Sequence, residues 1–158
     1  RRRERLEMEV QTDALTQLLN RRAWDQLLSK EEERCHRYAS SAAVLVIDLD
    51  ELKTVNDSLG HAAGDALLVQ TARALHQATR AVDLVARLGG DEFGVIAVEC
   101  DQTGAEALLE RIRHTLAEQQ IKASVGMAVR APTGKLADAW HVADQRMYAE
   151  KRARANSR

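Results

Sequence analysis

Two adjacent glycines, Gly89 and Gly90, divide a pair of apolar runs, and no other feature of the 158-residue chain limits its fold as much. Leu84 to Leu88 leads in and Phe93 to Glu99 leads out. Strand-forming sequence on both sides of paired glycines predicts a β-hairpin, because glycine reaches the positive φ angles that tight turns use. Asp91 and Glu92 then stand at or just past the tip, where carboxylates face solvent and ligand. Asp48-Leu49-Asp50 ends a second apolar run, Ala42 to Ile47, which is rich in valine and short enough to be a buried strand. Two buried strands that carry acids to their ends can build a site for a hard cation.

The other segments interleave with these strands. Asn20 is placed to cap a helix whose apolar stripe is Ala23, Trp24, Leu27 and Leu28, ending in the charged run Lys30 to Arg37. A short helix from about Glu51 to Ser58 stops at Gly60, and a longer one follows from about Gly64 to Ala78. Beyond the hairpin come a helix over Ala105 to Glu118, a strand over Ile121 to Val129 and a last helix over Asp138 to Arg154. This order predicts an α/β fold: a central mixed, largely antiparallel sheet flanked by helices, ferredoxin-like rather than doubly wound. Arg1 to Gln11 is charged, with Leu6 and Val10 four residues apart, and reads as the end of a helix entering from upstream or as a solvated tail. The expected organisation is a linker helix over residues 1–12 and one domain over 13–158.

Charge and composition exclude several classes. A net charge of −1 gives no reason to expect nucleic-acid wrapping or an anionic membrane surface. No apolar run approaches the roughly 20 residues that cross a bilayer, and no signal peptide is visible. The expected location is cytoplasmic, with a parent chain that is free or membrane-anchored. Cys35 and Cys100 lack CxxC spacing and read as reduced, partly buried thiols. The histidines, at 36, 61, 76, 114 and 141, include no i,i+4 pair for zinc. There is no GxGxxG, and Gly134-Lys135 is no P-loop, since Val129 stands where its first glycine belongs and Leu136 follows the lysine. A nucleotide site here must hold phosphates through a metal and isolated basic groups.

Gly89-Gly90-Asp91-Glu92-Phe93 resembles the signature of the GGDEF domains, bacterial diguanylate cyclases of nucleotidyl-cyclase-like fold. The likeness extends along nearly the whole chain. Asp13 to Arg22 resembles the family's opening motif, with Ala14 and Gln17 where proline and glycine are usual. Asp48 to Asp57, Gly60-His61-Ala62-Ala63-Gly64-Asp65, Ser124-Val125-Gly126 and the set Ala143, Asp144, Met147, Tyr148, Lys151 resemble further motifs in the family's order. The resemblance implies condensation of two GTP into cyclic di-GMP with loss of two pyrophosphates, at a site shared by a homodimer. It implies Mg²⁺ or Mn²⁺ on Asp48, the Leu49 carbonyl and Asp91, with Asp91 also the base for the 3′-hydroxyl. Lys53 is expected to meet phosphate or developing charge, and Glu92 belongs to the catalytic signature. Asn56 and Asp65 match guanine-binding positions, where an amide and a carboxylate suit O6, N1 and N2. His61 lies between them, either lining that pocket or serving the turn.

Lys151 matches a phosphate-binding lysine of the family. The usual arginine four residues later is Ala155, and Arg154, one position early, substitutes only if the helix end unwinds. Glu51 and Leu52 stand where the family often has aromatics. Arg80, Asp83 and Arg111 match a product-inhibition site, against the plain alternative of a surface ion pair. The implied partners are GTP, cyclic di-GMP, a second copy and an upstream sensor domain. A second reading is a catalytically weak or inactive module that binds GTP or cyclic di-GMP. A cyclase for another nucleotide is the third, which Asn56 with Asp65 disfavours.

Overall fold

A computed structural model describes residues 11–157, so most of the expected linker helix of 1–12 lies outside the described residues. Elements follow in the order α1 (Arg21–Tyr38), β1 (Ala42–Leu49), α2 (Leu52–Leu59), α3 (His61–Ala78), β2 (Leu84–Arg87), β3 (Glu92–Val98), α4 (Gln102–Glu118), β4 (Ala123–Val129) and α5 (Leu136–Asn156). The four strands form one sheet in the order β2-β3-β1-β4, every neighbouring pair antiparallel. A ferredoxin-like α/β sheet is thus present. The only parallel pairing among the described residues is an isolated bridge from Leu19 to Ala86.

Side chains alternate between the faces of a strand, and β1 uses both faces for core. Ala43, Leu45, Ile47 and Leu49 pack with Leu68 and Leu75 of α3 and Ile112 and Leu116 of α4. Ala42, Val44 and Val46 pack with Trp24 and Leu28 of α1 and Leu136, Ala143 and Met147 of α5. Burial on both sides explains why β1 reads as a continuous apolar run. By the same alternation Asp48 continues the α1/α5 face. Two glycines set close approaches on that face. A Cβ on Gly94 would stand 2.7 Å from the Trp24 ring, and one on Gly126 would stand 2.0 Å from the Ala143 carbonyl oxygen.

Both sheet edges are covered. Beyond β2, Leu19 donates to the Val85 carbonyl at 3.3 Å and accepts from Arg87 N–H at 2.9 Å. Beyond β4, Arg154, Arg113 and Arg146 donate to the carbonyls of Ala123, Val125 and Met127 at 2.7, 3.4 and 2.7 Å, and Glu150 accepts from Val125 N–H at 3.3 Å. Asn20 caps α1 by accepting from Ala23 N–H at 3.0 Å, as its position predicts. Gln17 sits at φ 63°, a left-handed angle that explains why glycine is the family's usual residue there. Cys35 and Cys100 are free and buried. Among the described residues no helix is long and apolar enough to cross a membrane.

Candidate functional site

Because β1 and β3 run antiparallel, the end of β1 lies beside the start of β3. Asp48 is opposite Glu92 in the register, and Leu49 N–H donates to the Asp91 carbonyl at 3.0 Å. The acids of two distant segments therefore meet at one end of the sheet. The hairpin loop that carries Asp91 is held by backbone bonds from Leu88 and Gly89 to the Glu92 carbonyl, at 2.7 and 3.3 Å. Neither Gly89 nor Gly90 has a positive φ, which corrects the conformational argument for the glycine pair. A Cβ on either would meet nothing within 4 Å. Their small size leaves the loop backbone bare on an open side instead.

Arg87 braces this loop and was not visible as a functional position. Its guanidinium donates to the Gly89 and Gly90 carbonyls at 3.1 and 2.9 Å and to Asp13 at 3.3 Å. Burial raises the Asp13 carboxyl, but hydrogen bonds from Thr16 and the charge of Arg87 outweigh it and bring the group below its ordinary value. The opening motif thus holds the signature loop in place.

Lys151, from α5, reaches the same strand end. Its ammonium donates to the Asp48 carboxylate and to the Leu49 carbonyl, the latter at 3.1 Å. The Asp48 carboxyl is nevertheless pushed up, first by burial and then by Asp91 and Asp50, against the hydrogen bond from Lys151. The Lys151 ammonium faces Asp48 and Asp91, while Asp50 is paired with Arg154 at 3.0 Å. Burial lowers Lys151, yet the bond and charge of Asp48, with Asp91 and Asp50 behind, carry it above its ordinary value. Glu92 is also pushed up, by burial, Asp144 and Asp48, with Arg21 opposing. Arg21 itself lies 4.8 Å from the centre of the Trp140 ring.

Oxygen donors of this kind suit a hard divalent cation. Among the described residues no three His, Cys, Asp or Glu side chains are grouped to hold a metal. The set implied by the resemblance is two carboxylates and a carbonyl, and two of those oxygens already converge on one cationic nitrogen. The residues present fit a Mg²⁺ or Mn²⁺ ion.

The helix pair after β1 carries the other expected residues. Gly60, at φ 90°, separates α2 from α3, which begins three residues before the expected Gly64. A Cβ on Gly64 would lie 1.7 Å from the Asn56 Oδ1, so glycine there lets the Asn56 amide lie against the first turns of α3, next to Asp65. Lys53, His61 and Asp65 are exposed, and no hydrogen bond or ion pair among the described residues joins them to the carboxylates. Helix α5 continues to Asn156 without unwinding. Arg154 bonds Asp50 at 3.0 Å and the Ala123 carbonyl at 2.7 Å, and it does not share the Asp48 and Leu49 oxygens that Lys151 touches.

Arg80 and Arg111 line a separate cleft of about 560 Å³ with Ser41, Glu99 and Cys100. Arg80 holds Asp83 at 2.9 Å and the Val98 carbonyl at 2.6 Å, and Arg111 donates to the Ala78 carbonyl at 2.6 Å. The Asp83 side chain is buried beneath Arg80 and positions it rather than lining the cleft. Val98 ends the strand that Glu92 begins, so this cleft is roughly 20 Å from the carboxylate site, the span of a seven-residue strand.

A sequence model of the family "Diguanylate cyclase, GGDEF domain" matches residues 10–157. The chain is 36% identical over 151 residues to the probable diguanylate cyclase DgcJ of Escherichia coli K12, covering 93% of this chain and 30% of that protein. It spans about a third of the length of such curated relatives. Among solved structures, the coiled coil and GGDEF domain of DgcB from Caulobacter crescentus, in complex with c-di-GMP, superposes with a TM-score of 0.89 at 26% identity, covering 96% of this chain and 86% of that one. The diguanylate cyclase SiaD from Pseudomonas aeruginosa, in complex with its activator SiaC, gives 0.85 at 31% identity, covering 96% and 63%.

Proposed function

Given that the chain belongs to the GGDEF family of diguanylate cyclase domains, we propose that it condenses two GTP into cyclic di-GMP, releasing two pyrophosphates. The observation that carries this reading is the meeting of Asp48, Leu49 and Asp91 at neighbouring strand ends, with a cation already drawn to the Asp48 and Leu49 oxygens. Asp48, the Leu49 carbonyl and Asp91 hold Mg²⁺ or Mn²⁺. A bound ion of this type stabilises charge on phosphoryl oxygens and favours ionisation of a nearby hydroxyl. Asp91 takes the proton of the 3′-hydroxyl as it attacks the α-phosphate of the other nucleotide. Lys53 and Lys151 answer the phosphate charge, and Glu92 completes the acidic set. Asn56 and Asp65 bind guanine, with His61 at the pocket edge, and unpaired polar groups discriminate against adenine.

Two identical bonds in a symmetric product call for two copies related by a two-fold axis. Residues 1–12 link the catalytic unit, 13–158, to an upstream sensor domain and set how often two copies meet. Product returns to the cleft of Arg80 and Arg111, with Asp83 holding Arg80, and slows the enzyme. One observation favours a second reading, an effector module that binds nucleotide without turnover: Ala155 removes the usual arginine, and Arg154 is committed to Asp50.

Product analysis with GTP and Mg²⁺ separates the two. The parent protein is expected to make cyclic di-GMP and Asp91→Ala to make none. Nucleotide binding by the parent without product, even at high concentration, overturns the cyclase reading in favour of the module.

A further inference from the structure

The ammonium of Lys151 sits on the two oxygens that the proposed function gives to a metal ion, the Asp48 carboxylate and the Leu49 carbonyl. Two cations in one oxygen cradle repel strongly. The lysine is also built to leave. Its side chain is 31% exposed, on a flexible four-carbon stem that ends in a compact point charge. The helix beneath it is pinned on both sides: Glu150 holds Arg113 at 2.7 Å, and Arg154 holds Asp50 at 3.0 Å. Any exchange is therefore confined to the Lys151 side chain and leaves α5 where it is.

We propose that Lys151 is a displaceable counter-cation: it and the divalent metal hold the Asp48 and Leu49 oxygens in alternation, and metal entry swings the ammonium out toward the phosphates of the substrate. The inference rests on the cyclase reading and adds an order to it. The protein alone resists metal. A nucleotide that engages the ammonium removes the competitor, so metal and nucleotide strengthen each other's binding by one shared factor.

Mn²⁺ binding without nucleotide, followed by electron paramagnetic resonance, tests this on the parent protein, Lys151→Met and Asp48→Asn. Lys151→Met is expected to bind Mn²⁺ about fivefold tighter or more, and Asp48→Asn to lose binding. Unchanged or weaker binding by Lys151→Met, with Asp48→Asn still defective, overturns the counter-cation and leaves the cyclase reading standing. Binding that survives Asp48→Asn overturns the metal assignment and the inference together. A second measurement needs no variant. Acylation of Lys151 by an amine-directed reagent, read by mass spectrometry, is expected to rise severalfold with saturating Mg²⁺; an unchanged rate at saturation overturns the proposal.

Discussion

Glu92 and Glu150 are both partly buried glutamates within reach of arginine, yet their carboxyls shift in opposite directions. Glu92 goes up, through burial and the nearby charges of Asp144 and Asp48, with Arg21 acting only at a distance. Glu150 goes down: burial raises it, but the bond and charge of Arg113, the Val125 N–H and Arg154 more than compensate. Direct pairing separates them. At the covered edge of β4 each buried charge has a partner, which favours stability. At the strand end of Asp48, Asp91 and Glu92, negative charge is left in excess, which costs stability and leaves a demand for cations. A folded chain keeps such an excess where a ligand will later balance it.

The largest expected effect comes from removing charge on the ligand-facing side. Asp48→Asn should lower cyclic di-GMP production by at least about a hundredfold, while urea denaturation shows no loss of stability. Breaking the paired side should do the reverse. Glu150→Ala leaves Arg113 and the Val125 N–H without their acceptor and should cost about 2 kcal/mol in urea unfolding. Glu92→Gln should stabilise the fold by about 1 kcal/mol at pH 7. The sign follows from the raised folded value. Glu92 adds stability below the ordinary glutamate range and loses it as pH rises through that raised value, so the gain from Gln should shrink toward zero on acidification. Glu150 behaves oppositely, supporting the fold above the ordinary range and failing as pH falls through its lowered value. The smallest effect is expected at Lys122, whose side chain is 66% exposed and meets Glu51 at 3.4 Å. Lys122→Met should change stability by less than about 0.5 kcal/mol; a larger loss would show that pairing matters here without burial.

The helices and strands were legible wherever apolar spacing was strong, as in α1 with its Asn20 cap and in the β1 run. Boundaries drifted where backbone conformation governed them: Gly60 lets α3 start at His61, which no periodicity reveals. The acids of the site were legible as motifs, and their meeting could be expected from two strands ending in carboxylates. What closes around them was not legible. Arg87 touches Asp13 across 74 positions of sequence, and Arg113 reaches Glu150 across 37. Pairing over such separations leaves no local pattern. The glycine pair predicts left-handed φ angles, yet neither glycine has one, and a Cβ on either would meet nothing within 4 Å.

Among the described residues both margins of the sheet are partly covered. Leu19 lies along β2, and the side chains of Arg113, Arg146, Glu150 and Arg154 cap the outer groups of β4. Exposed strand margins are templates on which a neighbour can add its own strand, in growth that does not readily reverse. Cover at both margins limits such strand addition along β2 and β4. The surface left for contact with a neighbour is that of helices, loops and strand ends.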